Sequence, residues 1–151
     1  MDGVLIHEEH ALPGASEFLS ALREREIPFL VLTNNSIFTR RDLSARLASS
    51  GLDVPEQNIW TSATATATFL ATQSDSRRAY VVGEAGLTTA LYEHGFVMTN
   101  DNPDFVVLGE TRTYSIEALT QAIRLIGKGA RFIATNPDVT GPSADGPIPA
   151  T

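Results

Sequence analysis

Cysteine is absent from this sequence, and long apolar runs and an excess of basic residues are absent too. Without cysteine the chain cannot form a disulfide, a zinc–thiolate centre or a cysteine nucleophile, and this composition fits a reducing compartment. The longest apolar stretches, such as residues 29–32, are far shorter than the roughly 20 residues of a membrane-spanning helix. The first residues do not have the pattern of a basic, apolar signal peptide. We therefore expect a cytoplasmic protein that does not enter a membrane.

The sequence has 18 Asp and Glu residues and 11 Lys and Arg residues, which gives a formal net charge of −7. This charge repels a phosphate backbone, so nucleic acid is not expected to be a partner. A chain of 151 residues with 42% hydrophobic residues is typical of a globular protein. At this length, one domain or two small lobes bury roughly two-thirds of the surface of the unfolded chain.

Short apolar runs alternate with helical segments along the chain. The runs are residues 29–33, 79–83, 104–109 and 131–136. Each is apolar on both faces, which is typical of parallel strands that helices cover on both sides. The alternation predicts an α/β fold with right-handed crossovers.

The helical segments between these runs have recognisable ends. Pro13 is expected in a first turn, Thr39 and Ser115 are expected as N-caps, and Gly51 and Gly95 as left-handed C-terminal residues. The apolar positions expected to face the core are Phe18, Leu19, Leu22, Leu43, Leu47, Leu87, Leu91, Ile116, Leu119, Ile123 and Ile126. The Thr and Ala alternation of residues 61–68 is interpreted as the beginning of a further helix.

Two polar stretches carry residue types suited to phosphate chemistry. Asp2 and Gly3 open the chain, and the residues Thr33, Asn34, Asn35 and Ser36 follow an apolar strand. A hydroxyl and successive amides at the carboxyl end of a strand can hold phosphoryl oxygens, and a nearby carboxylate can carry a proton. Taken singly, an Asp-Gly pair is also a common turn, and hydroxyl and amide groups also close loops.

The order of several motifs resembles the haloacid dehalogenase-like hydrolases, most of all the NagD-type, or class IIA, phosphatases. The matching stretches are residues 1–5, 13–15, 32–36, 61–63, 80–84, 103–107, 109–111 and 129–138. The resemblance implies a partial Rossmann-like core with three layers, residues 1–76, and an inserted α/β cap lobe, residues 77–151, that ends incomplete. It also implies a small phosphorylated metabolite, such as a sugar phosphate or a nucleoside monophosphate, as the substrate.

The family motif Asp-x-Asp-Gly implies a role for Asp2. Its first Asp is the nucleophile that forms a phosphoaspartyl intermediate, and its second is the general acid and base. Asp2 matches the second Asp, and its main-chain carbonyl would ligate Mg²⁺, the implied cofactor. Thr33, Asn34 and Asn35 match the phosphate-binding second motif.

The cap lobe of this class lies over the active site and selects the leaving group. By resemblance, Asn136 and Asp138 belong to the substrate-selecting loop, and Glu84 and Glu110 are further candidates just after strand ends. Asn136, Pro137 and Asp138 also fit a plain turn. Cap lobes can form subunit contacts, so a homo-oligomer through this lobe is an additional expectation.

Several parts of the family pattern are missing from residues 1–151. They are the nucleophile and its strand, which would precede Met1, the later Lys, and the acidic motif near the C-terminus of the family. We therefore expect a fragment that lacks phosphatase activity, with an Asp codon upstream of Met1. We also expect the strand at residues 29–33 to lack one neighbour. A non-catalytic binding or assembly module is the alternative, whereas a dinucleotide-binding domain is disfavoured because no Gly-x-Gly-x-x-Gly loop is present.

Overall fold

The structure is a computed structural model that describes residues 1–7, 9–138, 140–141 and 148–149. Its helices are α1 (Ala15–Glu24), α2 (Arg40–Ser49), α3 (Ser62–Ala71), α4 (Ala85–Glu93) and α5 (Ile116–Gly127), with a 3-10 turn at Glu56–Asn58. Its strands are β1 (Ile6–His7), β2 (His10–Ala11), β3 (Val31–Thr33), β4 (Ile59–Thr61), β5 (Arg78–Val82), β6 (Val97–Met98), β7 (Phe105–Leu108), β8 (Arg131–Ala134), β9 (Thr140–Gly141) and β10 (Ile148–Pro149). Within the described residues, no helix is long and apolar enough to cross a membrane. The rest of the expected second lobe, residues 139, 142–147 and 150–151, lies outside the described part.

The first lobe is built on a parallel pair of strands, β3 and β4, whose register places Val31 beside Ile59. Both side chains are buried in one apolar cluster with residues of α1 and α2. The opposite face of the pair carries Leu32 and Trp60, which are 61% and 38% exposed. Within the described residues, helices therefore cover one face of this sheet, and a small antiparallel hairpin of β1 and β2 precedes α1.

The second lobe is a four-stranded parallel sheet with the strand order β6-β5-β7-β8. Successive side chains of its strands point to opposite faces, as the pleat of a strand requires. Phe105 and Val107 pack against α3 and α4 on one face, whereas Val106 packs against α5 on the other. The lobe therefore has three layers, and the predicted α/β class is confirmed.

The predicted helix ends agree well with the structure, because they depend on local chemistry. Thr39 caps α2 in a reciprocal box with Asp42, and Ser115 caps α5 by accepting from the Ala118 amide. Gly51 follows the end of α2 with a φ of 80°, a left-handed conformation that glycine adopts without strain. The position of Pro13 was predicted wrongly. Gly14 is the N-cap of α1, so the proline lies before the helix and not in its first turn.

The predicted core stripe of α5 is also wrong. Ile116 and Ile123 are 79% and 69% exposed, whereas the helix buries Ala122 and Leu125 against the sheet. The helix carries two apolar stripes on different faces, and the sheet packs on the stripe that contains Ala118, Ala122 and Leu125. The isoleucine stripe therefore faces outward.

The two lobes meet at the loop of residues 34–39, which we call the docking loop. The amide of Gly86, at the start of α4, donates to the Ile37 carbonyl over 2.8 Å. A Cβ atom on Gly86 would lie 2.5 Å from the Phe38 carbonyl oxygen and 2.6 Å from that of Ser36. The second lobe can reach the docking loop only because this position has no side chain.

Replacing Gly86 with alanine is therefore expected to separate the lobes. The two opposing atoms belong to the backbone, so we expect Gly86→Ala to lower the free energy of unfolding by about 1–3 kcal/mol. The measurement is urea unfolding followed by circular dichroism. Gly127→Ala in α5 is the matched control, because a Cβ there meets nothing within 4 Å and alanine favours the helix by up to about 1 kcal/mol. Equal stability of Gly86→Ala and the unsubstituted protein would contradict the tight docking.

Candidate functional site

The site lies where strand ends of both lobes approach the docking loop. β3 ends at Thr33, and the loop follows it directly. From the second sheet, Glu84 follows β5, Glu110 follows β7 and Asn136 follows β8. Because parallel strands end at one edge of a sheet, polar residues of several loops gather there.

Asp2 follows a residue that bonds to β3. The main-chain nitrogen of Met1 donates to the Leu32 carbonyl over 2.8 Å, on the edge of β3 that β4 does not occupy. The Gly3 amide donates to the Ile6 carbonyl over 2.8 Å, which turns the chain immediately after Asp2. The exposed Asp2 therefore directly follows the residue that bonds to Leu32 of β3.

The polar residues that follow β3 form a loop held by its own hydrogen bonds. The Asn35 amide donates to Thr33 Oγ1 over 3.2 Å. Asn35 Oδ1 accepts from the Ile37 and Phe38 amides over 3.1 Å and 2.9 Å. The Asn35 side chain therefore shapes the loop, whereas the Thr33 hydroxyl keeps its own proton to donate.

Asn34 makes a direct side-chain contact between the two lobes, as does Arg40 of α2 with Glu93 of α4. Its Nδ2 donates to Asp138 Oδ2 over 3.3 Å, although 104 residues separate them in the sequence. Asn136 acts within its own turn, where its Oδ1 accepts from the Asp138 amide over 3.0 Å. The structure thus brings Asn34 and Asp138 together, and Asn136 supports the turn that carries Asp138.

Ser36 is a buried member of the site that the sequence did not single out. Its side chain is fully buried, and its Oγ accepts from the Glu110 amide over 2.9 Å. This bond ties the loop after β7 to the docking loop. In the sequence, Ser36 is marked only by its place at the end of the polar stretch that begins at Thr33.

Glu110 lies within electrostatic range of Asp2. Burial raises the pKa of the Glu110 carboxyl above its usual value, the positive charge of Arg112 opposes that shift, and the negative charge of Asp2 adds to it. Burial and the charge of Glu110 also raise the pKa of the Tyr114 hydroxyl. Glu84 instead accepts a hydrogen bond from the Thr111 hydroxyl, so its carboxyl is engaged with a neighbouring loop.

Asp2 carries oxygen groups of the kind that a magnesium site uses. Asp2 offers a carboxylate and a main-chain carbonyl, which are ligands that Mg²⁺ prefers. Within the described part of the chain, however, no group of three His, Asp or Glu side chains lies close enough to hold a metal ion. These residues therefore do not form a complete metal site by themselves.

A shallow depression of about 280 Å³ opens beside Thr33. It is lined by Leu32, Thr33, Asn34, Trp60, Thr61, Ser62 and Ala65. A larger cleft of about 510 Å³ lies along α2 and α4, and another of about 550 Å³ lies along α5. Neither larger cleft is lined by Asp2 or Thr33, so we place the site by its polar groups and not by cavity size.

Removal of the Ser36 hydroxyl tests whether it anchors the loop after β7. Ser36→Ala leaves the Glu110 amide without its buried acceptor, so we expect a loss of about 1–3 kcal/mol in unfolding free energy. Hydrogen exchange of the Glu110 amide is expected to accelerate more than that of the β3 amides. Ser49→Ala is the control, because the exposed Ser49 hydroxyl bonds only within its own helix and its loss should cost under about 0.5 kcal/mol. Unchanged exchange at Glu110 would contradict the anchoring role.

Comparison with known proteins places this arrangement in a family. Residues 1–97 match the family described as haloacid dehalogenase-like hydrolase. The chain is 66% identical over its full length to a dihydroxyacetone phosphatase of Corynebacterium glutamicum, of which it covers 55%. It is 48% identical over 141 residues to the ribonucleotide monophosphatase NagD of Escherichia coli, of which it covers 56%.

Solved structures give the same result for the fold. NagD from Escherichia coli superposes with a TM-score of 0.88 at 46% identity, over 97% of this chain and 58% of that one. A 4-nitrophenylphosphatase from Thermotoga maritima superposes with a TM-score of 0.92 at 37% identity, over 99% of this chain and 57% of that one. The chain thus spans a little over half the length of the phosphatases it matches. The sequence match and the shared fold together show that the chain belongs to the haloacid dehalogenase-like hydrolases, with NagD-type phosphatases among its relatives.

Proposed function

We propose that the whole protein hydrolyses phosphate monoesters of small metabolites through a phosphoaspartyl intermediate. The observation that carries this proposal is the place of Asp2 at the end of β3, where the Met1 nitrogen contacts the Leu32 carbonyl. Phosphoryl transfer needs a carboxylate, a hydroxyl and main-chain amides to position and stabilise the transferring phosphoryl group, and Asp2, Thr33 and Asn34 carry these groups. The relatives at 66% and 48% identity are phosphatases, which supports the same reaction class.

Each residue near Asp2 has a proposed role. Asp2 gives a proton to the leaving ester oxygen and then takes one from the attacking water. The Thr33 hydroxyl and the Asn34 amide donate to the phosphoryl oxygens, and Asn35 holds these donors in position through its bonds within the loop. The nucleophilic carboxylate is proposed to lie two positions before Asp2, outside residues 1–151.

Magnesium is the proposed cofactor, and it would supply positive charge to the phosphoryl group. Of the described residues, we assign only Asp2 to it, through the main-chain carbonyl. One structural neighbour, a glycerol phosphate phosphatase of Mycobacterium tuberculosis at 29% identity, was solved in complex with magnesium, which supports the choice of ion.

The second lobe is proposed to select the substrate. Asp138 reaches Asn34 at the end of β3, so the loop after β8 borders the space next to the phosphate. Asn136 is proposed to act with it by fixing the turn. Related proteins are named for dihydroxyacetone, sugar and ribonucleotide phosphates, and a small phosphorylated metabolite of this kind is the proposed substrate.

The division into a core at residues 1–76 and a cap at residues 77–151 remains a proposal. α3 packs in one apolar cluster with α4 and the second sheet, although it precedes the proposed boundary. By its packing, α3 belongs with the second lobe. We also propose a cytoplasmic location without nucleic acid or membrane partners, for which the lack of cysteine and the net charge of −7 are the support.

An assay of two chain lengths tests the proposed reaction. We expect residues 1–151 to lack activity on p-nitrophenyl phosphate with Mg²⁺, and a chain extended through its flanking reading frame to the length of its relatives to be active. In the extended chain, Asp2→Asn is expected to lower kcat by about 10²–10⁴-fold, because the leaving oxygen loses its proton donor. Asp75→Asn is the control, because Asp75 is exposed in the segment between the lobes. Turnover by residues 1–151 alone, or an active Asp2→Asn variant, would contradict the proposal.

A second proposed function is assembly through the second lobe, and the outward isoleucine stripe of α5 supports it. Ile116, Ile123 and Ile126 are exposed and follow each other at intervals of seven and three residues, the spacing found where two helices pack along their length. The same face of α5 in a second copy of the chain could pack against them. In the extended chain we expect sedimentation equilibrium to give a dimer, and Ile123→Glu to give a monomer with unchanged turnover of p-nitrophenyl phosphate. The prediction that Phe18 of α1 faces the core is wrong, because its side chain is 57% exposed, and Phe18→Gln should leave the dimer intact. A monomeric unsubstituted protein would refute this role.

A further inference from the structure

Ser62 is the first residue of α3, but its hydroxyl does not cap that helix. The cap is the side chain of Thr61, the last residue of β4, which accepts from the Thr64 amide over 3.0 Å. Ser62 Oγ instead donates to the Asn34 carbonyl over 2.7 Å, although 28 residues separate them in the sequence. The serine hydroxyl therefore links the start of α3 to the docking loop.

The parallel pairing of β3 and β4 holds these two residues next to each other. The register places Thr61 beside Thr33. Ser62 and Asn34 are the residues that follow them, and both line the depression of about 280 Å³ beside Thr33. Because α3 packs with α4 and the second sheet, the Asn34 carbonyl is bonded to a helix that belongs by its packing with the second lobe.

Two hydrogen bonds hold the peptide group between Asn34 and Asn35, one at each end. Its carbonyl accepts from Ser62, and its amide, on Asn35, donates to Thr33 Oγ1 over 3.2 Å. A donor on the carbonyl polarises the peptide group, so its amide becomes a better donor in turn. The Asn35 amide occupies one lone pair of Thr33 Oγ1, and the hydroxyl proton of Thr33 is left to donate elsewhere.

We propose that Ser62 is a positioning residue, which holds the Thr33 hydroxyl in the orientation that donates to the transferring phosphoryl group. This inference rests on the proposed function, in which Thr33 is a phosphoryl donor. Ser62 donates to the peptide group, the peptide group donates to Thr33, and Thr33 donates to the phosphoryl oxygen. A donor that is already oriented stabilises the transition state more than one that must reorient during the reaction. Ser62 acts through this chain of bonds and needs no contact with the substrate.

The experiment measures kcat and KM of the extended chain for p-nitrophenyl phosphate with Mg²⁺. Ser62→Ala removes the first donor, and we expect kcat to fall about tenfold or more while KM stays within about twofold, because an interaction used in the transition state is lost. Ser62→Thr keeps a hydroxyl and should restore most of the activity. The melting temperature of Ser62→Ala should fall by no more than about 2 °C, since the lost hydrogen bond is exposed.

Ser49→Ala is the matched control for the loss of a serine hydroxyl. Ser49 Oγ also donates to a main-chain carbonyl over 2.7 Å, but that carbonyl belongs to Arg46 of the same helix. This variant should leave kcat and KM unchanged. Ser62→Cys, which replaces the hydroxyl with a weak donor of similar shape, is a second test of the same bond and should lower kcat as Ser62→Ala does.

A double substitution tests whether Ser62 acts through Thr33. Thr33→Val removes the hydroxyl and keeps the shape of the side chain. In this background Ser62→Ala should lower kcat by less than about twofold, because two residues of one hydrogen-bond chain do not act additively. The same tenfold loss in both backgrounds would show that Ser62 acts on another group, and it would overturn the inference.

The outcomes separate this inference from the proposed function. An active unsubstituted enzyme with equally active Ser62→Ala and Ser62→Cys variants overturns the role of Ser62 and leaves the phosphatase proposal standing. An extended, folded chain without turnover overturns both. A loss of kcat that Ser62→Thr restores, and that disappears in the Thr33→Val background, supports the positioning role.

Discussion

The close contact between the docking loop and the second sheet is the constraint on which the whole site depends. It is made largely by backbone atoms, since Gly86 lies against the carbonyls of residues 36 and 38 and the Glu110 amide bonds to Ser36. The buried Ser36 hydroxyl and the lack of a side chain at Gly86 are small features. They nevertheless allow groups more than 100 residues apart in the sequence, such as Asn34 and Asp138, to lie in contact. Direct side-chain contacts such as that between Asn34 and Asp138 depend on this docking and contribute little to it, because exposed hydrogen bonds compete with water.

Features governed by local chemistry could be predicted from the sequence, and features governed by packing could not. The caps at Thr39 and Ser115 follow from side-chain oxygens that satisfy free amides within a few residues. The stripe of α5 was misjudged because the helix has two apolar faces, and only the sheet decides which one is buried. β4 was missed for another reason. It has three residues and runs directly into α3, so its pattern merges with that of the helix.

The site shows the same division. Asp2 and Thr33 could be singled out because short motifs place their chemistry at the start of the chain and at the end of a strand, and the structure joins the residues before them, Met1 and Leu32, by a hydrogen bond. The use of the Asn35 side chain as a brace within its loop could not be read from residue types, because an amide serves equally well as a ligand-binding group or a loop support. Ser36 could not be identified either, since its importance comes from burial against a loop that lies 74 residues further along the chain.

The uncovered face of the first sheet has a practical consequence. Trp60 is the only tryptophan of the sequence, and it stands beside Leu32 on that face, one position before the strand ends at Thr61 and Thr33. Its indole is partly open to water, so its emission wavelength reports the polarity of this surface alone. The molecule thus contains an intrinsic fluorophore that senses whatever layer comes to rest against β3 and β4, with no label attached.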